Sequence, residues 1–267
     1  MPRTILITGS TDGIGFETAQ RLVAQGHDVL LHGRSDTKLA GAARALVALG
    51  APGRVETYLA DLSDLAAVES LAAEVLERED SLDVLINNAG VLRAPEVATP
   101  DGLDVRFAGN TIAPYLLTRR LLPLLGTTGR VVNLSSAAQA PVDLLALAGG
   151  VTMSHGEAYA QSKLALTAWS RHLALELGAA GPMIVAVNPG SLLATTMVKE
   201  GYGITGSDVG IGAGILVRAA LADEFADASG SYYDNDSRAF AAPHPDALDP
   251  AITAAVVAAI EAVLARR

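Results

Sequence analysis

Short apolar runs rich in β-branched residues alternate along this chain with longer stretches rich in Ala and Leu. Such runs without polar alternation are typical of strands in a parallel sheet that helices cover on both faces. The predicted strands are 4–8, 28–31, 55–59, 84–86, 130–134, 184–187 and 231–233. The predicted helices are 15–25, 38–49, 65–78, 103–122, 157–177 and one that begins at Pro250. The sequence therefore predicts a doubly wound α/β fold, a parallel sheet of about seven strands flanked by helices on both faces.

A glycine-rich turn stands between the first predicted strand and the first predicted helix. Gly9, Gly13 and Gly15 permit positive φ and let backbone N–H groups approach a phosphate closely. A strand precedes this turn, and a helix and a second strand follow it, as in the dinucleotide-binding (Rossmann) unit. We expect Gly9, Ser10, Gly13, Ile14 and Gly15 to contact a dinucleotide.

The end of the second strand bears on which dinucleotide is bound. Gly33 stands where NAD enzymes usually carry a carboxylate for the ribose, and Arg34 follows it. A guanidinium can pair with a 2′-phosphate, so we predict NADP(H), with Arg34 and Ser35 around that phosphate. NAD stays possible because Asp12 occupies a place in the turn where many NADP binders have a basic residue. The alternative is that Arg34 is a solvated residue that begins a helix.

Tyr159 and Lys163 are separated by four residues in a predicted helix, which places them on one face, one turn apart. A phenol has an ordinary pKa of about 10, too high for proton transfer near neutrality. A neighbouring ammonium favours the phenolate and lowers that pKa. The pair therefore predicts an acid/base centre.

These motifs, taken in order, resemble the short-chain dehydrogenase/reductase family, of the kind in which the cofactor motif comes first in a single domain. The resemblance covers about residues 3–240. The matching segments are Thr8-Gly9-Ser10-Thr11-Asp12-Gly13-Ile14-Gly15, Asp61-Leu62, Asn87-Asn88-Ala89-Gly90, Asn110, Ser136, Tyr159 with Lys163, and Pro189-Gly190.

The resemblance implies four catalytic residues. Tyr159 would be the general acid/base, and Lys163 would support its phenolate and hydrogen-bond the nicotinamide ribose. Ser136 would orient the substrate oxygen, and Asn110 would hold a water that relays protons. Ser135 competes with Ser136, but strand alternation sends the two side chains to opposite faces, and the family pattern favours the second.

The resemblance also implies further cofactor contacts. Asn88, Ala89 and Gly90 would line the cofactor beside Tyr159 and Lys163. Asp61, next to Leu62, would either bind the adenine or cap a helix. Pro189 and Gly190 would precede a Thr that binds the carboxamide. That Thr is displaced by one position here, so Thr195 is our choice and Thr196 the alternative.

Two segments are expected to form substrate loops around this site. The first, 137–158, is extended, has an apolar part at 144–147, and resembles the insert of the retinol-dehydrogenase-like and protochlorophyllide-reductase-like branch. The second, 191–214, is rich in Gly, Thr and Ser, and we expect a mobile segment there. Both suggest an apolar substrate. His155 in the first loop either faces the substrate or is solvated.

Composition excludes several other classes. A net charge of −10 without a basic run disfavours nucleic acid and anionic membranes. There are no cysteines, and the five His residues lack ligand spacing, so no metal site is expected. We interpret Asp234-Asn235-Asp236 as a polar turn rather than a calcium loop. Without a signal segment or a membrane-length apolar run, a cytoplasmic location is expected.

The sequence thus predicts one NAD(P)-binding domain over residues 1–267. Its function would be hydride transfer between NADP(H) and a small carbonyl or alcohol. The competing hypotheses are a non-catalytic cofactor-sensing protein, and epimerase or lyase chemistry on the same fold. By resemblance, a homodimer or homotetramer would form through the fourth and fifth helices.

Overall fold

A computed structural model describes residues 1–203 and 205–266 of the chain. Within these residues, eight strands form one sheet with the order β3-β2-β1-β4-β5-β6-β7-β8. Their bounds are β1 Thr4–Ile7, β2 Asp28–Gly33, β3 Val55–Leu59, β4 Val84–Asn87, β5 Arg130–Leu134, β6 Met183–Asn188, β7 Tyr232–Asp234 and β8 Ala239–Ala241. Every neighbouring pair is parallel except β7 and β8, which are antiparallel.

The helices pack on both faces of this sheet, and most begin at a polar cap such as Asp12, Ser35, Asp64 or Ser154. Their bounds are α1 Gly13–Ala24, α2 Asp36–Val47, α3 Leu65–Arg78, α4 Val105–Phe107, α5 Ala113–Leu125, α6 Leu144–Leu147, α7 His155–Leu177, α8 Thr196–Tyr202, α9 Val209–Leu221 and α10 Pro250–Leu264. A π turn, Ala108–Ile112, joins α4 to α5, and 3₁₀ turns lie at Gly178–Ala180, Asp223–Phe225 and Pro245–Ala247.

Two apolar cores cover the two faces of the sheet. Successive strand residues enter opposite cores: Leu6 lies with α3, α5, α7 and α10, whereas Ile5 and Ile7 lie with α1, α2 and α9. In the first core the rings of Tyr115 and Trp169 meet edge to face at 5.5 Å between centroids. Burial on both faces explains why the strands read as continuous apolar runs.

The fold class predicted from the sequence is confirmed, and the differences from the prediction are local. The helix predicted over 103–122 is divided into α4, the π turn and α5. The strand β8 and the helices α6, α8 and α9 were not predicted. In α9 the glycine content suggested a loop, but a Cβ on Gly212 would lie 2.7 Å from Leu193 Cδ1 and 3.2 Å from Ile14 Cδ1. Glycine there allows α9 to pack closely against α1.

The sheet order places the functional cleft. The chain moves outward from β1 to β2 and β3, then returns to β4 on the other side of β1. The connections after β1 and β4 therefore diverge and leave a crevice at the carboxyl ends of these strands, where ligands bind in open α/β sheets.

Candidate active site

A cleft of about 410 Å³ runs along the carboxyl ends of the central strands. It contains most of the predicted cofactor contacts together with three of the four predicted catalytic residues. Predicted residues on its wall are Gly9, Gly13, Ile14, Gly15, Arg34, Asp61, Leu62, Asn88, Ala89, Gly90, Asn110, Tyr159, Lys163, Pro189 and Thr195. Four predicted residues lie off that wall, namely Ser10, Ser35, Ser136 and Gly190.

The glycine-rich turn is pressed against the end of β4. Gly9 has φ +63°, and a Cβ there would lie 2.9 Å from Ala89 Cα. A Cβ on Gly15 would lie 2.4 Å from Asn88 Nδ2, which donates hydrogen bonds to the Thr8 and Gly9 carbonyls at 2.8 and 3.0 Å. The absent side chains thus bring the turn and the amino end of α1 to the cleft, a geometry that suits a pyrophosphate.

His32, which the sequence analysis did not identify as a site residue, supports the glycine-rich turn by hydrogen bonding. Its buried ring accepts a hydrogen bond from Gly9 N at Nδ1 (3.1 Å) and pairs with Ala60 O through Nε2 (3.1 Å). Burial lowers the pKa of His32 to about 4, so the ring is neutral and carries its proton on Nε2. Ser10 is fully buried and bonded to His32 through both its amide and its hydroxyl. Its predicted cofactor contact is therefore corrected to a structural role.

Two cations stand at the end of β2. Arg34 lines the cleft as predicted, and so does Lys38 in the first turn of α2, which sequence reasoning missed. Ser35 lies off the cleft wall and caps α2 by accepting a hydrogen bond from Lys38 N, so its contact with a 2′-phosphate stays a prediction. The nearness of Lys38 to Arg34 in sequence was the signal that could have found it.

Asp61 does not cap a helix, so that alternative is wrong. The cap of α3 is Asp64, which accepts from Ala66 N and Ala67 N. The Asp61 carboxylate accepts from Ser63 N at 2.9 Å and Ser63 Oγ at 2.8 Å, and the residue lies on the cleft wall.

Lys163 and Tyr159 meet at the other end of the cleft. Lys163 Nζ lies 5.7 Å from the centroid of the Tyr159 ring and donates to Leu134 O at 2.6 Å. Burial lowers the pKa of Lys163 to about 8, because a charge is costly away from water. A Cβ on Gly90 would come into ordinary van der Waals contact with Lys163 Nζ at 3.5 Å, and both residues line the cleft.

Asn110 occupies the π turn, and its side chain ties three elements together. Its Oδ1 accepts from Val91 N at 2.7 Å, and its Nδ2 donates to Val91 O at 2.9 Å and to Ser162 Oγ at 3.0 Å. Ser162 Oγ donates in turn to Tyr159 O at 2.7 Å. The amide thus links the segment after β4 to the helical turn that carries Tyr159, and π turns are frequent at functional sites.

The two serines after β5 have different surroundings. Ser135 Oγ is buried against α7, 2.6 Å from Thr167 Oγ1 and 3.4 Å from Lys163 O. Ser136 is half-buried, and its Oγ accepts from Ala138 N at 3.1 Å. Ser135 lines the cleft but its hydroxyl is engaged by the helix, whereas Ser136 lies off the cleft wall with a hydroxyl that can still donate its own proton. The choice of Ser136 over Ser135 stays a prediction.

The two candidate threonines lie at the beginning of α8. Leu192, in the segment between Pro189-Gly190 and these threonines, adopts φ +52°, a left-handed conformation. Thr195 caps α8 by accepting from Val198 N, and Thr196 Oγ1 donates to Asp12 Oδ2 at 2.9 Å. Both line the cleft. The segment 191–214, predicted to be a loop, contains α8 and the beginning of α9; its residue 204 lies outside the described residues.

His155 is the first residue of α7, not a solvated loop residue. Its Nδ1 lies 2.6 Å from Nη1 of Arg106, which is fully buried and forms an ion pair with Asp104. Because a guanidinium can only donate, His155 Nδ1 accepts and is unprotonated in this arrangement. The cluster of Asp104, Arg106 and His155 links α4 to the amino end of α7, one helical turn before Tyr159.

The Asp234–Asp236 turn holds β7 to β6. Asn188 Nδ2 donates to Asp234 Oδ1 at 2.8 Å and to Asp236 Oδ2 at 2.9 Å, and Ser191 Oγ donates to Asp236 at 2.6 Å. Within residues 1–203 and 205–266, His, Asp and Glu side chains nowhere form a group of three that could hold a metal ion. In the same residues, no helix combines the length and apolar character needed to cross a membrane.

A doubly wound sheet with a glycine-rich turn at its switch point, and a Tyr–Lys pair in the same cleft, defines a dinucleotide-dependent oxidoreductase. A family model described as short chain dehydrogenase matches residues 3–202, and the chain belongs to this family. It acts as a dehydrogenase or reductase on alcohol or carbonyl groups, and the comparisons give no support to a non-catalytic role.

Several known proteins are similar to this chain. Retinol dehydrogenase 13 from Homo sapiens is 33% identical over 92% of this chain and 80% of its own length. Polyprenol dehydrogenase from Homo sapiens is 35% identical over 70% of this chain and 60% of its own. An uncharacterised protein from Mycobacterium paratuberculosis has a TM-score of 0.81 at 29% identity, covering 98% of this chain and 92% of its own. A Burkholderia cenocepacia short-chain dehydrogenase in complex with NADP has a TM-score of 0.69 at 29% identity, covering 87% and 95%.

Proposed function

We propose that this chain is an NADP(H)-dependent oxidoreductase that interconverts an apolar carbonyl compound and its alcohol. The observation that carries this proposal is the buried Lys163 ammonium beside the Tyr159 ring, in the same cleft as the glycine-rich turn. A bound nicotinamide cofactor would supply or accept the hydride. The residues of the chain would manage the proton and orient the substrate.

Tyr159 is the proposed acid/base. Its hydroxyl would donate a proton to the carbonyl oxygen during reduction and take it back during oxidation. Lys163 makes this exchange possible near neutrality because a cation within a few ångströms favours the phenolate. Ser136 would donate a hydrogen bond to the same substrate oxygen. The Asn110 side chain is committed to Val91 and Ser162, so a proton relay at this residue would use its backbone carbonyl.

The preference for NADP(H) is proposed from the charges at the end of β2. Arg34 and Lys38 both line the cleft after Gly33, and none of these three residues has a side-chain acceptor for the ribose hydroxyls. A guanidinium fork and an ammonium suit a 2′-phosphate. We therefore expect Arg34→Ala and Lys38→Ala to raise KM for NADPH at least tenfold and KM for NADH less than twofold. Equal effects on both cofactors would contradict the assignment.

The substrate is proposed to be an apolar aldehyde, ketone or alcohol. Val91, Leu92, Val105 and Met197 line the cleft near the Tyr–Lys pair. Two of the similar proteins named above are dehydrogenases of retinol and of polyprenol, and both of these alcohols are apolar. In this proposal, 137–158 and 191–214 act as substrate loops of one domain formed by residues 1–267.

Assembly and location stay predictions from the sequence. Helix α10 packs against α7, and Tyr115 in α5 donates a hydrogen bond to Glu261 in α10. Helix α10 therefore covers part of α5 and α7, and a homodimer or homotetramer would have to form through surfaces that α10 leaves uncovered. Light scattering would test the assembly, and cell fractionation the cytoplasmic location.

The activity is tested with a panel of carbonyl compounds and both cofactors, followed by the absorbance of the reduced nicotinamide. The panel contains all-trans-retinaldehyde, decanal, an aromatic ketone, a charged sugar and an acyl thioester. We expect NADPH oxidation with the apolar aldehydes or ketones. A clear preference for the sugar or the thioester would refute the apolar pocket, and no turnover with any carbonyl or alcohol would refute the function.

A further inference from the structure

Two side chains hold the backbone carbonyl of Ser136. Its carbonyl oxygen accepts two hydrogen bonds, one from Tyr232 Oη at 3.1 Å and one from Gln139 Nε2 at 2.9 Å. The Ser136 hydroxyl accepts from Ala138 N at 3.1 Å. Because the carbonyl fixes the peptide plane that leads to Ala137 and Ala138, these bonds together set the direction of the hydroxyl.

The side chain of Tyr232, and the His244 backbone that supports Gln139, come from the carboxyl-terminal part of the chain. Tyr232 lies in β7, paired with Ala186 of β6, and is 6% exposed. Gln139 is held in turn by His244, whose backbone N–H donates to Gln139 Oε1 at 3.2 Å. Tyr232 and His244 lie beyond the residues that the family model matches, 3–202.

The Tyr232 hydroxyl keeps its proton and can therefore donate a hydrogen bond. Burial, together with the nearby Asp234 carboxylate, raises the pKa of Tyr232 well above its ordinary value. The phenol therefore stays protonated at any pH at which the enzyme would work. A neutral phenol and a neutral amide on one carbonyl give two directional contacts and add no charge beside the acid/base centre.

We propose that Tyr232 and Gln139 are positioning residues for the reaction: by fixing the Ser136 carbonyl they aim the Ser136 hydroxyl at the substrate oxygen. This inference rests on the proposed function, in which Ser136 donates to that oxygen. A loop with one residue anchored at both its carbonyl and its hydroxyl keeps its donor in place before substrate arrives, and such preorganisation favours the transition state.

The chain offers a matched control for the test. Tyr233, the next residue of β7, is 2% exposed, points to the opposite face of the sheet and meets Arg218 Nη2 at 3.4 Å. Tyr232→Phe and Tyr233→Phe remove the same atom from two neighbouring buried rings. With NADPH and the panel aldehyde that the wild type reduces fastest, we expect Tyr232→Phe to lower kcat about tenfold. Its KM and Kd for NADPH should stay within twofold of wild type, and Tyr233→Phe should leave all three unchanged.

Two readouts separate positioning from a loss of stability. With 4-deuterated NADPH, the isotope effect on kcat should rise in Tyr232→Phe, because a misdirected Ser136 slows the hydride step itself. Amide exchange followed by mass spectrometry should speed up over residues 136–140 in Tyr232→Phe, and not in Tyr233→Phe, with no substrate present. Gln139→Met should reproduce both effects, and it serves as the test if Tyr232→Phe does not fold.

The comparison with Ser136→Ala distinguishes failure of the inference from failure of the proposed function. A Ser136→Ala variant with wild-type turnover would remove Ser136 from the reaction and overturn the positioning role, whereas the proposed oxidoreductase function would stand because the variant still turns over; no turnover by the wild type itself would overturn that function. If Ser136→Ala is slow but Tyr232→Phe and Gln139→Met match Tyr233→Phe in kcat, isotope effect and exchange, the positioning role is wrong and the proposed function stands.

Discussion

Replacing Lys163 by Met should make the protein more stable while it abolishes turnover. Lys163 is buried with its charge, and the burial that lowers its pKa from 10.5 to about 8 is a cost to the folded state. This cost is present at every pH below 8, where the folded chain must hold the proton. Between pH 8 and 10.5 the unfolded chain still binds this proton and the folded chain does not, so the cost shrinks as the pH rises.

The magnitude follows from these two pKa values. Their difference of 2.5 corresponds to about 3 kcal/mol of unfavourable free energy at pH 7. The variant also loses the hydrogen bond from Lys163 Nζ to Leu134 O, which contributes about 1 kcal/mol. The free energy of unfolding of Lys163→Met should therefore exceed that of the wild type by about 2 kcal/mol at pH 7, and by close to zero at pH 9.5.

Urea unfolding of both proteins at pH 7 and pH 9.5, without cofactor, measures this difference. Lys38→Met is the matched control because Lys38 is exposed; its effect on unfolding should be small at both pH values. A Lys163→Met variant that is less stable than wild type at pH 7, or whose gain does not fall by about 2 kcal/mol at pH 9.5, would show that the buried ammonium does not destabilise the folded chain.

Three further predictions concern stability alone. His32→Gln should make the free energy of unfolding fall less steeply in acid. The His32 pKa of about 4 lies below the ordinary 6.5, so the wild type loses up to about 3 kcal/mol of unfolding free energy as the pH falls from 6.5 to 4. A variant that loses as much over this range would contradict the prediction. Leu192→Gly should raise the unfolding free energy by about 1 kcal/mol, since Leu192 has φ +52°, a conformation that is costly for a residue with a Cβ. A lower thermal midpoint in the variant would exclude backbone strain at this residue. Gly15→Ala should lower the free energy of unfolding by about 2 kcal/mol, because its Cβ would lie 2.4 Å from Asn88 Nδ2. Gly41→Ala is the control and should be neutral or stabilising, because a Cβ there would have no neighbour within 4 Å. Equal urea midpoints for the two variants would disprove the close approach at Gly15.

The fold was predictable from the sequence because its signals are local. Strands buried on both faces, such as 130–134, read as apolar runs, and the observed β5 has the predicted bounds. The helix predicted over 65–78 also matches α3, since an Asp cap precedes it and its apolar residues recur at helical spacing. The π turn at Ala108–Ile112 was not predictable in this way, because it depends on how α4 and α7 meet around Asn110.

The site was predictable only in part, since a motif names residues without giving the direction of their side chains. Ser10 belongs to the glycine-rich motif, but its hydroxyl faces His32 rather than the cleft. Lys38 was missed although it lies close to Arg34 in sequence, whereas Tyr232 was missed because it reaches the site only through the packing of elements distant in sequence. A single chain carries no local signal for such contacts.

In the proposed reaction the Tyr159 hydroxyl exchanges a proton with the substrate beside the buried Lys163 ammonium. This proton transfer is tested by the turnover of NADPH with the best panel aldehyde, measured for wild type and Tyr159→Phe alongside fluorescence titration of NADPH. We expect Tyr159→Phe to bind NADPH within twofold of wild type and its kcat to fall about a thousandfold. A variant that binds NADPH normally and keeps a tenth or more of the wild-type kcat would show that Tyr159 is not the acid/base.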